Sequence, residues 1–412
     1  MISAISLSDQ LVAQQGDRTR VLVVGAGVAG ITLAALLRAA GQHPVLVERG
    51  RQGQAPGYML GLLPFVDPVI RRLGVEPAYL ERSVGMHRYL LRGATGRRLR
   101  EYSLDGALAP FGRYRGIARE DLLDVIATEN LPVTFGCTVA DLAQEDDGVR
   151  VVLDEEGARH ESVFHAVIGA DGLHSGIRDL VLAPGDVSRV DTGWGGWVAW
   201  SDADDSPDLY EETWGDGFFV GIYPVLGRTG VFVGGPRSLA AEGPAAMVAR
   251  VRRALRTRDA RTERALAAVG DGYHWAFNDV RSARWTVGRV ALLGDAAAGF
   301  LPTAGVGASM AMESAAVLAD LLTDASPEQV IAAYTAYEGA QRGRVEQAQD
   351  SSRQLARLMF RSGRLLTRVR DVATRAISFE RAFGPILRLL ADRPEPPAAR
   401  HRLPAQPRKD LA

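Results

Sequence analysis

Val21-Leu22-Val23-Val24-Gly25-Ala26-Gly27-Val28-Ala29-Gly30 is the stretch from which the rest of the chain is read. A short, wholly apolar run that stops on glycine has the character of a parallel strand buried on both faces. The glycines are spaced G-x-G-x-x-G, and Ile31 to Ala40 continues with helical spacing as far as Gly41, a C-cap. The next strand, Val45-Leu46-Val47, ends on Glu48. One βαβ unit therefore fits within about 30 residues, and each glycine in it has a task. Gly25 permits the tight turn, Gly27 lets the backbone approach a pyrophosphate, and Gly30 lets helix and strand meet closely. Phosphates would sit on the helix N-terminus, where free N–H groups and the helix dipole favour an anion. Glu48 is placed to accept hydrogen bonds from ribose hydroxyls.

Two later segments repeat the pattern of an apolar strand that ends on small residues. Phe164-His165-Ala166-Val167-Ile168 leads into Gly169-Ala170-Asp171-Gly172. Val290-Ala291-Leu292-Leu293 leads into Gly294-Asp295-Ala296-Ala297, followed by Pro302, Gly305, Val306, Gly307 and Ala308. Small residues suit a place where a flat ring system must approach the backbone, and Asp295 can bond sugar-chain hydroxyls. Between these segments, strand-like runs dominate from about 182 to 283. The expected fold is α/β: a Rossmann-like domain with an inserted β-rich substrate domain and C-terminal helices. The boundaries place 18–81, 110–181 and 284–345 in the discontinuous first domain, and 82–109 with 182–283 in the β-rich one. Residues 346–392 are expected as C-terminal helices, 393–412 as a disordered tail, and 1 to about 18 as a mobile leader.

Composition narrows the function. Of 412 residues 47 % are hydrophobic and 24 % charged, ordinary for a globular protein, and a net charge of -1 gives no reason to expect nucleic acid. A single cysteine, Cys137, excludes internal disulfides and Cys-cluster metal sites, and its strand-like surroundings read as those of a buried structural thiol. No metal site is expected. Lys409 is the only lysine, so Schiff-base chemistry is almost closed to this chain. The N-terminus lacks the apolar core of a signal peptide, and no run of about 18 apolar residues suggests a membrane span. A cytoplasmic location is expected. The many arginines of the C-terminal helices could suggest an anionic membrane surface, and a solvated helical face is the preferred reading.

Together, the N-terminal fingerprint, the central D-G of Asp171-Gly172 and the later G-D of Gly294-Asp295 resemble the group A flavoprotein monooxygenases, the para-hydroxybenzoate hydroxylase-like family. The resemblance covers about residues 20 to 345. It implies non-covalently bound FAD, with Gly25, Gly27, Gly30, Glu48 and Arg49 holding the ADP half. Arg119 would lie near the phosphate and ribityl chain, and Asp171 belongs to a motif associated with FAD and pyridine nucleotide. Gly294 and Asp295 would hold the FAD linker. Pro302 and Gly305, Val306, Gly307 and Ala308 would line the isoalloxazine, with N–H groups that stabilise charge at its pyrimidine edge. Many relatives read G-D-A-A-H, whereas Ala298 stands at the fifth position here, which removes any role of that imidazole. No second G-x-G-x-x-G is present, so NADPH or NADH is expected as a transient co-substrate.

The implied reaction is hydroxylation of an apolar, aromatic or polyketide-like molecule with O2, through a flavin C4a-hydroperoxide. Epoxidation, Baeyer–Villiger oxygenation, isoprenoid reduction and non-redox FAD binding are the alternatives. Halogenases share the fold but use an active-site lysine, and Lys409 lies far from every motif. The substrate is expected among Trp194, Trp197, Trp200, Trp214, Phe218, Phe219 and Tyr223, about half of them core. Tyr223, Tyr58, His87 and His274 are the groups that could activate a phenol, and no catalytic base is assigned.

Overall fold

The computed structural model describes residues 1–53, 57–128, 130–203 and 205–393. Its organising element is a seven-stranded sheet, in the order Ile2–Ala4, Leu131–Phe135, Val45–Glu48, Val21–Val24, Ala166–Gly169, Val290–Leu292 and Thr286–Val287. Every pairing is parallel except the last. Val21–Val24 and its neighbours are buried on both faces, which is why they read as unbroken apolar runs. The strand order reverses around Val21–Val24: the chain leaves it for Val45–Glu48 on one side and returns as Ala166–Gly169 on the other. Crevices at such switch points, outside the carboxyl ends of the strands, take ligands.

The expected mobile leader is part of this sheet. Ile2–Ala4 pairs with Leu131–Phe135, and a helix over Leu7–Ala13 is capped by Ser6, whose side chain accepts from the Asp9 N–H. Two glutamines, Gln10 within the helix and Gln14 at its C-cap, face inward. The buried Gln10 amide donates to Leu46 O and Thr134 Oγ1, both at 2.8 Å, and Gln14 donates to Val21 O at 2.7 Å. Residues that look solvent-facing in composition here satisfy backbone groups at the sheet margin.

The β-rich region is an eight-stranded sheet in the order Ala298–Gly299, Tyr273–Ser282, Val187–Asp202, Arg228–Pro236, Phe219–Val225, Leu209–Trp214, Arg88–Arg92 and Arg98–Ser103. One face packs on helices Pro244–Ala254 and Ala260–Ala268 through Val220, Ile222, Val231, Val233, Met247 and Val251. The other face looks toward the seven-stranded sheet. Helix Gly307–Leu322 and the long helix Val330–Met359 complete the molecule, with Arg364–Ala376 and Phe379–Ala391 behind them. The division expected at 345 falls inside Val330–Met359. Of the expected tail only Arg393 is described, donating to Pro64 O at 2.7 Å; the remainder, Lys409 included, lies outside the described residues. No described helix is long and apolar enough to cross a membrane.

Candidate active site

The fingerprint glycines are held to their roles by contact. Gly25 has φ 107°, and a Cβ there would stand 2.5 Å from Ala170 O; one on Gly30 would stand 1.9 Å from Gly25 O. Neither position admits a side chain. Gly27 is different: it caps helix Val28–Ala39 without a side-chain bond, and a Cβ on it would meet nothing within 4 Å. The helix N-terminus therefore opens on free space, as an anion site requires. Glu48 ties the loop down, accepting from Ala26 N at 2.8 Å and Gly50 N at 2.7 Å. Arg49 beside it is exposed and is not part of the cavity wall.

The two later motifs converge on the same crevice. Gly294, at φ 62°, lies against Ala29 of the fingerprint helix. Asp171 accepts from Ile177 N at 3.1 Å through one carboxylate oxygen, while the other is buried without a partner among the described residues. Arg178, fully buried, donates to Leu173 O and to Ala296 O, so it joins the central motif to the later one. Sequence reading missed that role, because an arginine one turn into a helix gives no sign of where its guanidinium ends.

A cavity of about 350 Å³ opens from this crevice toward the eight-stranded sheet. Gly27, Arg119, Asp295, Pro302, Gly305, Val306, Gly307 and Ala308 line it. Gly25, Gly30 and Gly294 act from behind through backbone geometry, and Glu48 and Asp171 lie away from the wall. Arg119 bonds the Tyr58 hydroxyl, lies over that ring at 5.8 Å, and has no carboxylate ion pair among the described residues. Asp295 is open on its cavity side yet surrounded by protein elsewhere, and this desolvation pushes its carboxyl up to about 6. A free helix N-terminus and an arginine without a carboxylate partner among the described residues suit a dinucleotide: FAD fits these residues, and Gly27 and Arg119 would meet its phosphates while Gly305–Ala308 would line its ring.

The far end has other chemistry. Of the seven expected aromatics, Phe219 and Tyr223 line the cavity. Trp194 stacks on the wall residue Phe360 at 4.2 Å, and Trp214 lies behind the wall. Trp197 and Phe218 pack into the opposite core, while Trp200 sits under Arg228 at 3.7 Å. Tyr58 lines the cavity; His87, paired with Asp105, and His274, edge-on to Trp197, do not.

Glu212, like Arg178, was missed by sequence reading. It is 4 % exposed and lines the cavity. Its carboxylate accepts from Tyr210 Oη at 2.6 Å, Tyr89 Oη at 2.8 Å, Trp214 Nε1 at 2.9 Å, and from Tyr223. Burial raises its pKa in spite of those hydrogen bonds. The sheet makes the Tyr223 bond possible: Gly221 is the cross-strand partner of Glu212, and a Cβ there would stand 2.0 Å from the Tyr223 hydroxyl. Tyr114 bonds Tyr210, and its own hydroxyl lies 3.4 Å from where a Gly305 Cβ would be, so the tyrosine cluster reaches back to the cofactor wall. The available signal was an acid among alternating aromatics, but Glu211 and Glu212 present two acids of opposite parity.

The FAD binding domain family matches residues 18–351, and the chain belongs to it, within the group A flavin monooxygenase superfamily. The 3-amino-4-hydroxybenzoate 2-monooxygenase PtnB3 of Streptomyces platensis is 30 % identical over 325 residues, which are 74 % of this chain and 80 % of that protein. The aurachin C monooxygenase/isomerase of Stigmatella aurantiaca is 28 % identical over 357 residues, 80 % of this chain and 86 % of that one. Klebsiella pneumoniae HpxO, solved with FAD and uric acid, shares the fold with a TM-score of 0.80 at 24 % identity, over 93 % of this chain and 99 % of that one.

Proposed function

We propose that this chain is an FAD-dependent monooxygenase that hydroxylates an apolar aromatic molecule bearing a hydroxyl or amino hydrogen-bond donor. The observation that carries the reading is one continuous cavity, with small residues and free N–H groups at one end and an aromatic wall around a buried acid at the other. Bound FAD supplies the electron transfer from NAD(P)H and the activation of O2. A substrate C–H becomes C–OH, the second oxygen atom leaves as water, and NAD(P)H is oxidised.

The chain's own residues position the substrate and keep the site dry. Phe219, Phe232, Trp275, Phe277 and Phe360 form an apolar wall that excludes water and takes an aromatic ring by stacking or edge contact. The polar end is directional. Tyr210 donates its one hydroxyl proton to Glu212, and Tyr223 is hydrogen-bonded to both. Their remaining lone pairs accept. A phenol O–H or an aromatic N–H finds partners there, whereas a carboxylate meets oxygen lone pairs and a buried acid. Arg119, the cationic wall residue, stands with Asp295 at the cofactor end. Supporting the aromatic class, the PtnB3 relative is named for an amino- and hydroxy-substituted benzoate, whose carboxylate is the group that the polar end of this cavity disfavours.

The test is turnover of purified holoprotein with NADPH or NADH, in air, against hydroxy- and amino-aromatics with and without a ring carboxylate. The expected product is one oxygen heavier, carries label from ¹⁸O2, and forms fastest from the carboxylate-free compounds. A product two hydrogens heavier, or NAD(P)H oxidation that no substrate stimulates, would overturn the reading.

A further inference from the structure

Helix Arg364–Ala376 is mounted with its apolar side outward. Thr367, Arg370 and Thr374 are 3 %, 4 % and 6 % exposed, whereas Leu365, Leu366, Val369 and Val372 are 75 %, 49 %, 59 % and 65 % exposed. Four of the ten large apolar side chains exposed among the described residues thus sit on one helix of 13 residues. Single exposed apolar residues are normal; a cluster on one helix face marks an interaction surface.

The inversion is held by hydrogen bonds. The Arg370 guanidinium donates to the carbonyls of Trp214 and Gly215, and the N-cap Gly363 N–H donates to Asp216 Oδ1 at 2.6 Å. Asp371, the helix's only acid, faces Arg370 and accepts from Ala94 N at 3.0 Å. A basic stripe runs beside the exposed apolar one. Arg361, Arg364, Arg368 and Arg375 are exposed, and none carries an ion pair among the described residues. Arg100, on the neighbouring strand, donates to Arg375 O. In a chain whose net charge is -1, this is a local concentration of positive charge. The solvated face expected from the sequence is thus also amphipathic, its exposed arginines running beside exposed leucines and valines.

We propose that this helix docks the protein on an anionic lipid surface. An amphipathic helix whose apolar stripe is edged by arginines lies in the plane of a bilayer interface, its apolar face in the headgroup boundary and its guanidinium groups on phosphates. A second copy of the chain is the poorer occupant, because a two-fold interface sets each patch against itself and brings arginine to arginine. The position has a consequence for access. The helix follows Met359 and Phe360, both in the cavity wall, with only Arg361–Gly363 between. Docking brings the neighbourhood of an apolar cavity to the bilayer, which suits a substrate that partitions into lipid. The docking itself does not depend on the reaction proposed above.

The experiment is co-sedimentation of the full-length holoprotein with vesicles of phosphatidylcholine containing about one-third phosphatidylglycerol, against phosphatidylcholine alone. Roughly tenfold or greater preference for the anionic vesicles is expected, weakening as salt rises. The double variant Leu365→Asp, Val369→Asp should lose vesicle binding while keeping flavin content and NAD(P)H oxidation in solution. Equal binding to both vesicles, or unchanged binding of the variant, overturns the proposal. So does a dimer in solution that the same variant dissolves, since a second copy would then be the occupant. Vesicle binding seen only after removal of residues 394–412 would equally overturn it.

Discussion

At one end of the cavity Gly27 and Gly305–Ala308 present backbone, while at the other Tyr210, Glu212 and Tyr223 present side chains. The first surface is made by omission: Cβ atoms are absent where helix, strand and loop must approach one another or a ligand, as at Gly25 and Gly30. The second is made by convergence, with four donors brought to one carboxylate from strands Arg88–Arg92, Leu209–Trp214 and Phe219–Val225. A surface of backbone N–H groups recognises phosphate and a flat ring whatever substrate is turned over. A surface of side chains can be rewritten without disturbing it. The two ends should therefore respond separately to substitution.

The largest effect is expected at the cofactor end. Asp295→Ala and Arg119→Ala each remove a charged hydrogen-bond partner, worth about 1.5 to 3 kcal/mol, so FAD affinity should fall roughly ten- to hundredfold. Equilibrium dialysis of the apoprotein against FAD measures it; unchanged affinity in both variants would mean the cofactor lies elsewhere. At the substrate end, Glu212→Gln turns one acceptor into a donor facing hydroxyls that must themselves donate. The tyrosine protons then reorient, and KM for a phenolic substrate should rise about tenfold while FAD affinity stays constant. A simultaneous loss of FAD would break the separation of the two ends.

A pH titration sharpens the same contrast. The Asp295 carboxyl, raised to about 6 by desolvation, is protonated below that pH and ionised above it. If FAD hydroxyls donate to the ionised form, FAD affinity is full above about 6 and falls as pH drops, by at most about tenfold per unit. Asp295→Asn should flatten that slope, and dialysis across the pH range checks it. The smallest effect belongs to neither end: Cys137 is fully buried at the start of strand Cys137–Gln144, so Cys137→Ser should leave steady-state turnover unchanged.

Much of the cofactor end was legible because its requirements are local. A tight turn, a close helix–strand contact and an open helix N-terminus each demand glycine within a few residues of chain, and Gly25, Gly27 and Gly30 stand in that spacing. The leader was not legible: Gln10 and Gln14 look like solvent-facing residues until Leu46, Thr134 and Val21 are placed beside them. The helix Arg364–Ala376 shows the converse. Its amphipathic period is plain in the sequence, but which side faces the protein is decided by the carbonyls of Trp214 and Gly215 that meet Arg370.

Glu211 and Glu212 draw the line between the two kinds of information. By itself the sequence determined a dinucleotide fingerprint, three motifs in order, and a β-rich region carrying aromatics. It also placed two adjacent acids in Tyr210-Glu211-Glu212-Thr213-Trp214. Tertiary structure alone decided their fates. Glu211 turns to the outer face and pairs with Arg92 at 2.6 Å and Arg261 at 3.2 Å, while Glu212 turns to the cavity among neutral tyrosine and tryptophan donors. Successive residues of a strand point to opposite faces, so alternation alone leaves the choice of face open. Pairing with Arg88–Arg92 and Phe219–Val225 chose it, through partners more than a hundred residues away along the chain in the case of Arg92 and Tyr89.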